Sequence, residues 1–221
     1  MLEKVDGIVL KTFTPGAGKN CLFTQSQGKV ICTIFNPQQT AILRMGSRIS
    51  YTPLRYDHGA HITAHITVTN MPGLTTPSDL AWVHHLLELC YYFAPLQQPA
   101  SEIFALLTGT LFFNNHQLLN DHEYYVFKRL SIGSLLTLMG FYPPHDFAEV
   151  VLTTQRLLTT NIDFKAHTNI ELLKYHATVL TRGVCKVYDA WLLECIHTHP
   201  RIAYFKTLPF VYQLPTAEKR G

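Results

Sequence analysis

Hydrophobic and polar positions divide the chain into a β-rich beginning and a helical remainder. In five short runs the apolar residues alternate with polar ones or are β-branched, and clusters of Gly, Pro, Asn and Ser separate the runs. This pattern is typical of strands joined by tight turns. It predicts strands over residues 6–13, 21–24, 29–35, 48–54 and 61–69. Five short strands of this kind favour a small closed barrel, for which the OB-fold is the natural candidate.

The strongest helical signal lies in the segment 124–144. Val126 and Phe127 begin a series of apolar residues at helical spacing that continues to Met139, which predicts a broad buried face. Gly140 is the expected C-terminal cap, and the two prolines that follow prevent the helix from resuming. A helix with so apolar a face is stable only when other helices surround it.

The boundary between the two parts is expected near residue 75. Residues 71–79 contain two prolines and a glycine, and Ser78 or Asp79 can cap the helix that follows. Helices are predicted over 80–93, 100–114, 120–139 and 147–161, and over 169–197 with an interruption near Gly183. The sequence thus predicts an α+β multidomain protein, with a five-stranded OB-fold nucleic-acid-binding domain over 1–75 and an α-helical domain over 76–221.

The composition is that of a chain with a full core. Of the 221 residues, 47% are apolar and only 15% are charged, which argues against intrinsic disorder. No run of 18 apolar residues occurs, and Glu3 and Asp6 lie where a signal peptide needs a basic and then an apolar segment. The five cysteines include no C-x-x-C pair, so we expect buried thiols in a reducing compartment. We therefore expect a soluble cytoplasmic protein.

Positive charge is concentrated in the first part of the chain. Residues 1–75 contain seven Lys or Arg residues against three Asp or Glu residues, whereas the rest contains 11 basic and 12 acidic residues. A basic module attached to a near-neutral body is typical of proteins that bind a polyanion. The alternative is that these charges form an ordinary solvated face.

Aromatic residues are interleaved with these basic residues. Lys and Arg neutralise phosphates, and exposed aromatic rings stack on bases. Phe23 and Phe35 are expected in the core, whereas Tyr51 and Tyr56 are the stronger candidates for stacking. The candidate DNA-binding residues are Lys11, Lys19, Lys29, Arg44, Arg48, Tyr51, Arg55 and Tyr56.

Catalytic and metal chemistry find little support in the sequence. His61 and His65 share a face of their predicted strand, but they lie about 13 Å apart at roughly 3.3 Å per residue, too far for one metal ion. Residues 16–19 lack the spacing and the helix of a phosphate loop, and no G-x-S-x-G motif occurs. We expect no enzyme, no metal and no cofactor. The alternative, a hydrolase or transferase, requires a deep pocket lined by histidines and a carboxylate.

Several short motifs follow one another in an order known from one family. A D-G-I-V-L-K strand, a glycine turn, a strand ending in threonine and a G-K turn occupy residues 6–11, 16–18, 22–24 and 28–29. The helical part contains LTLMGFYP at 136–143, an L-x-x-x-G-Y/F-x-P pattern. This order resembles that of the RecO family, the bacterial recombination mediators. The resemblance covers about residues 5–145 and extends loosely to residue 200.

The chain departs from the family pattern in two places. The family's basic loop after the third strand, of K-G-x-R-x-x-x-S-R character, is reduced here to Arg44, Ser47 and Arg48. The four-cysteine zinc site that many members carry after the G-Y-x-P element is missing, so the resemblance implies a divergent member without zinc. The reduced loop leaves an alternative open, a protein-interaction adaptor that has the same fold and has lost DNA binding.

The resemblance implies a mediator without enzymatic turnover, associated with the nucleoid in the bacterial cytoplasm. Such proteins bind single- and double-stranded DNA, anneal complementary strands, and help to load a recombinase onto DNA covered by single-stranded DNA-binding protein. The implied partners are DNA, a RecR-like protein and the acidic C-terminal tail of single-stranded DNA-binding protein. A receptor for that tail needs an apolar pocket with a cation at its rim. The candidate residues are Phe127, Lys128, Arg129 and Leu136. The alternative is that Phe127 and Leu136 pack between helices and that Lys128 and Arg129 are solvated cations.

Overall fold

Five strands followed by seven α-helices make up the described part of the chain, an α+β layout. The computed structural model describes residues 4–13, 18–34, 38, 43–57, 60–73, 76–113, 117–160 and 167–212, without the side chains of 55–57, 60–64 and 167–169. The strands are β1 (Val5–Thr12), β2 (Lys19–Thr24), β3 (Gly28–Ile34), β4 (Arg48–Asp57) and β5 (Ala60–Asn70). All five predicted strands are confirmed, and β4 and β5 extend beyond their predicted ends towards each other.

The five strands form a closed barrel. They pair in the order β1-β2-β3-β5-β4, and β4 pairs back with β1, so that Gly7 lies opposite Thr24 of β2 and Ile49 of β4. Neighbouring strands are antiparallel except β3 and β5, which run parallel with Cys32 opposite His61. β4 follows β3 in the chain but does not pair with it. β5, the last strand, lies between β3 and β4 in the barrel.

Both faces of β1 and β2 are buried. Val9 and Leu22 point into the barrel, where Tyr51 belongs to the same cluster. Ile8, next to Val9, and Phe23, next to Leu22, belong instead to the core of the helical body. Because successive side chains of a strand point to opposite faces, the same two strands fill the barrel and its junction with the helices. The prediction that Phe23 is a core residue is confirmed.

The helices follow β5 after a short connection. They are α1 (Pro77–Phe93), α2 (Ser101–Leu111), α3 (Asp121–Leu138), α4 (His145–Thr159), α5 (His167–Val179), α6 (Arg182–His197) and α7 (Leu208–Val211), with a 3-10 turn at Ile202–Tyr204. The expected interruption of the last long helix is confirmed, since Leu180 and Thr181 separate α5 from α6. None of the helices among the described residues is long and apolar enough to cross a membrane.

Thr76 caps α1, not Ser78 or Asp79. The hydroxyl of Thr76 accepts a hydrogen bond from the backbone N–H of Asp79 at 3.1 Å. The carboxylate of Asp79 accepts one from the backbone N–H of Thr76 at 3.0 Å. This reciprocal pair is a capping box, and it satisfies two backbone donors at once. Asp79 therefore contributes at the third helical position, and the predicted cap lies two or three residues too late.

α3 lies at the centre of the helical body. Every residue from Val126 to Leu136 is buried, and α3 packs against α1, α2, α4, α5 and α6. The helix ends as predicted, because Gly140 adopts a φ of 96° and the backbone N–H of Phe141 reaches back to the carbonyl of Leu136 at 3.0 Å. A positive φ of this kind costs glycine least.

The loop between α1 and α2 ties the barrel to the helices. β5 pairs with residues 31–34 of β3, so the first half of β3 has no partner from β5. In that first half, Lys29 forms a parallel bridge with Leu96. The backbone N–H of Gln97 donates to the carbonyl of Lys29 at 3.0 Å. Gly28 approaches the carbonyl of Gln98 so closely that a Cβ atom would overlap it. These contacts fix β3, and with it Lys29, against the end of α1.

A glycine in α3 allows α6 to approach closely, and its replacement tests this packing. A Cβ atom at Gly133 would overlap the hydroxyl of Tyr188 and crowd Trp191. We expect Gly133→Ala to lower the free energy of unfolding by about 1–3 kcal/mol, because overpacking forces the two helices apart. Urea unfolding measures the effect.

Gly183→Ala is the matched control. Gly183 lies in the first turn of α6, and a Cβ atom there meets no atom within 4 Å. We expect this variant to be as stable as the parent or more stable by up to about 1 kcal/mol, since alanine favours the helix. Equal stability of the two variants would contradict the close α3–α6 contact.

Candidate nucleic-acid interface

The helical body covers one side of the barrel. The outward side chains of β1 and β2, namely Ile8, Leu10, Cys21 and Phe23, are at most 2% exposed. A base cannot stack on this face, because α1 and its neighbours already occupy it. Accessible basic groups lie instead along the edge of the covered face, where the barrel meets the end of α1.

Lys11 and Lys29 converge on Tyr91, in the last turn of α1. The Nζ atom of Lys11 lies 4.6 Å from the centroid of the Tyr91 ring, and that of Lys29 lies 5.6 Å from it. Lys29 also donates a hydrogen bond to the carbonyl of Tyr91 at 2.7 Å, and Lys11 lies 5.5 Å from the ring of Phe13. Cation–π attraction and the negative end of the helix dipole therefore hold two cations, from β1 and β3, beside one helix end.

Lys29 has an electropositive and partly desolvated environment. Burial lowers its pKa from 10.5, and the charge of Arg201 acts in the same direction. The nearby thiols of Cys21 and Cys90 stay neutral, because burial raises the pKa of both, that of Cys21 to about 12. Among the described residues, no carboxylate forms an ion pair with Lys29, Lys11 or Arg201. Such a group of cations attracts an added anion.

Arg201 brings a third cation to this edge from the loop after α6. It is exposed, and its charge acts on both Lys29 and Tyr91. Its backbone N–H donates to Nδ1 of His199 at 3.1 Å, which fixes the start of the 3-10 turn that follows. We name the group formed by Lys11, Lys29, Tyr91, Arg201 and the exposed Tyr204 the seam patch.

Three other predicted DNA-binding residues lie outside the seam patch. Lys19, at the start of β2, and Arg44, in the turn before β4, are exposed. Arg48 forms an ion pair with Asp6 at 2.6 Å, with the two side chains 34% and 38% exposed. Because its charge already has a partner, Arg48 is a weaker phosphate ligand than the lysines of the seam patch.

The stacking role predicted for Tyr51 is wrong. Tyr51 is 1% exposed and fills the barrel with Ile49, because alternate residues of β4 face inward. Arg55 and Tyr56 belong to β4 by their backbone, but their side chains lie outside the described residues. Phe35 lies outside the described residues as well.

The receptor predicted for an acidic tail is also wrong. Phe127 and Leu136 are 1% and 0% exposed, and Lys128 and Arg129 are 9% and 4% exposed. A peptide cannot reach these side chains without opening the helical body. The alternative is confirmed for Phe127 and Leu136, which pack between helices. It is wrong for Lys128 and Arg129, which are buried in ion pairs and not solvated.

Lys128 joins α3 to α1 through a buried ion pair. Its Nζ atom lies 2.6 Å from Oδ1 of Asp79, with side chains 11% and 1% exposed. The same ammonium group lies 4.3 Å from the centroid of the Tyr124 ring, and Nε1 of Trp82 donates to the carbonyl of Lys128 at 3.3 Å. Asp79 thus serves both as part of the α1 cap and as the counter-ion of Lys128.

Arg129 joins α3 to α6 and to the segment that follows. Its Nε atom lies 2.7 Å from Oδ1 of Asp189, whose other oxygen accepts from the hydroxyl of Tyr125 at 2.9 Å. It also donates to the carbonyl of Val211 at 2.6 Å. Its guanidinium lies 4.7 Å from the ring of Tyr125 and 5.0 Å from that of Tyr212. A buried charge with this many partners is structural, since losing one partner leaves it uncompensated.

The described residues contain no cluster of three or more His, Cys, Asp or Glu side chains able to hold a metal ion. No protein-family model and no curated protein matches the chain. What the protein binds has therefore to be inferred from the seam patch and from the motifs of the sequence.

The sequence reasoning missed three members of the seam patch. Tyr91 and Tyr204 lie on the helical body, and Arg201 follows a proline far from the barrel in the chain. The one local signal is the pair of tyrosines at 91–92, in the last turn of a leucine-rich helix. Nothing in the local pattern indicates that this helix end lies beside Lys29.

A buried histidine holds the segment 205–212, which we name the C-terminal strap. The hydroxyl of Thr207 donates to Glu88 at 2.5 Å, so its oxygen accepts from the Nδ1–H group of His85 at 2.9 Å. Nε2 of His85 then accepts from the hydroxyl of Tyr212 at 3.3 Å. This arrangement requires a neutral imidazole, because a protonated ring has no acceptor.

The strap should make the protein acid-labile in a defined pH window. Burial, followed by the charge of Arg129, lowers the pKa of His85 from 6.5 to about 3. Below pH 6.5 the unfolded chain binds a proton that the folded chain excludes. The free energy of unfolding should therefore fall as the pH falls. Between pH 6.5 and about pH 3, His85 should contribute about 1.4 kcal/mol to this fall for each pH unit.

Urea unfolding at several pH values between 7 and 4 measures this slope. In His85→Gln the slope should be reduced, although the variant is itself less stable. His197→Gln changes an exposed histidine in the last turn of α6 and should keep the parent slope. An unchanged slope in His85→Gln would show that the buried imidazole is not the source of the acid lability.

Proposed function

We propose that the chain binds single- and double-stranded DNA and acts as a recombination mediator of the RecO type. In this role it anneals complementary strands and helps to load a recombinase onto DNA covered by single-stranded DNA-binding protein. The observation that carries the proposal is the convergence of Lys11, Lys29 and Arg201 around Tyr91, with no described carboxylate paired to any of the three cations.

We assign the barrel to the OB-fold. The strand order β1-β2-β3-β5-β4 and the parallel pairing of β3 with β5 support this assignment. OB-folds bind oligonucleotides on the face of strands 2 and 3 and with the loops that join strands 1–2 and 4–5. Lys29 lies on β3, and Lys19 follows the loop between β1 and β2, so both support DNA contacts on this side of the barrel.

DNA phosphates would supply the counter-charge that no described carboxylate gives to the cations of the seam patch. Each Lys or Arg that neutralises a phosphate releases condensed counter-ions, which makes the affinity strong at low salt. Arg201 is exposed and offers a planar fork of donors that matches a phosphate group. Glu88 acts on the neighbouring Tyr92, but its oxygens already accept from Lys206 and Thr207.

The protein partners rest on the resemblance alone. A RecR-like protein and the acidic tail of single-stranded DNA-binding protein are proposed for this chain because its motifs follow the order of the RecO family. The tail has to bind away from the middle of α3, because both cations there are buried against Asp79 and Asp189.

A protein-interaction adaptor is the second candidate. One observation favours it, namely that the outward side chains Cys21 and Phe23 of β2 are fully buried under the helical body. Part of the face by which OB-folds bind oligonucleotides is therefore unavailable. An adaptor of this kind would bind proteins normally and would bind no DNA.

Titration of a labelled oligonucleotide at several salt concentrations separates the two candidates. We expect binding that weakens steeply with salt. In the double variant Lys11→Gln, Arg201→Gln the slope of log K against log salt should be shallower by about 1.4, because each phosphate contact on a single strand contributes about 0.7. The affinity at low salt should fall about tenfold.

Lys186→Gln is the control. Lys186 is exposed on the first half of α6, about 16 Å along the helix axis from His197, so it should leave affinity and slope unchanged. Absent or salt-independent binding by the parent protein would favour the adaptor. An equal loss in Lys186→Gln would show that the charge of the whole protein, not the seam patch, attracts DNA.

A further inference from the structure

Tyr204 presents an exposed ring three residues after Arg201 in the chain. Its side chain is 64% exposed, and it ends the 3-10 turn whose N-cap is Arg201. The backbone N–H of Tyr204 donates to the carbonyl of Arg201 at 2.9 Å. Residues three apart lie one above the other in a 3-10 helix, so Arg201, at the N-cap, and Tyr204 lie on the same side of this turn.

The backbone beneath this ring is held rigidly. The carbonyl of Tyr204 accepts from the hydroxyl of Tyr92 at 3.4 Å. The next residue, Phe205, is buried, and its ring lies 4.7 Å from that of Tyr92 and 6.1 Å from that of Phe93. The ring of Tyr204 is thus exposed on an anchored turn, which is the arrangement of a preformed stacking platform.

Tyr204, not Tyr91, has a ring available to a base. The ring of Tyr91 already faces the ammonium groups of Lys11 and Lys29 and lies 5.0 Å from the ring of Tyr92. Tyr91 therefore positions cations, whereas Tyr204 has no ring contact with the other described residues. The seam patch combines phosphate ligands with one free aromatic face.

We propose that the seam patch selects single-stranded over double-stranded nucleic acid, with the phosphates on Lys11, Lys29 and Arg201 and one unpaired base stacked on Tyr204. The selection follows from chemistry, because bases in a duplex are already stacked on their neighbours and only an unpaired base can cover the ring. This inference rests on the proposed function and specifies the form of nucleic acid that the site takes.

The test compares three polyanions that differ in what they offer Tyr204. The probes are a fluorescein-labelled oligothymidylate, a labelled duplex of the same length, and inorganic polyphosphate as a competitor. In Tyr204→Ala we expect the affinity for oligothymidylate to fall about tenfold. Affinity for the duplex and competition by polyphosphate should stay within about twofold, because both depend on the cations alone.

Two further variants control for the ring and for general surface effects. Tyr204→Phe keeps the aromatic face and should bind oligothymidylate as the parent does. Tyr175→Ala removes a tyrosine of nearly equal exposure, 63%, from α5 and should change nothing. Thermal unfolding confirms that each variant is folded, as expected for side chains that lie mainly in solvent.

The outcomes separate the inference from the proposed function. Binding of oligothymidylate that Tyr204→Ala leaves unchanged, or an equal loss for duplex and single strand, overturns the selection while DNA binding stands. Failure of the parent protein to bind either oligonucleotide overturns both. A loss confined to oligothymidylate and restored in Tyr204→Phe supports the stacked base.

Discussion

The burial of both faces of β1 and β2 is the constraint on which the rest of the structure depends. Inward, Val9 and Leu22 complete the barrel; outward, Ile8 and Phe23 complete the core of the helical body. A strand buried on both sides cannot give up one neighbour without exposing several apolar side chains, each worth about 1.5–3 kcal/mol. The barrel and the helices are therefore coupled energetically, and the seam patch lies at the edge of this coupling.

Local patterns were enough to predict the elements, because strands and helices depend on nearby residues. Alternation located all five strands, and the apolar run with its terminal Gly140 located α3 and its end. Local patterns could not tell that Lys128 and Arg129 are buried. Their partners, Asp79 and Asp189, lie on other helices about fifty residues or more away, and a Lys or Arg beside an apolar face usually extends into solvent.

Only two of the five residues of the seam patch could be predicted, for a similar reason. Lys11 and Lys29 stand out in the sequence because they belong to a basic, β-rich segment. Tyr51 was misjudged because one residue of register decides whether a strand side chain points into a barrel or away from it. Tyr91 and Arg201 join the lysines only through tertiary packing, which no periodicity encodes.

The C-terminal strap has a consequence for how the protein is made. Arg129 and His85 belong to helices that a ribosome completes early, but their partners Val211 and Tyr212 are added much later. Until these residues are in place, the guanidinium of Arg129 lacks one of its acceptors and the imidazole of His85 lacks its partners from the strap. The helical body is therefore complete only after residues 205–212 have been synthesised and have packed against α1 and α3.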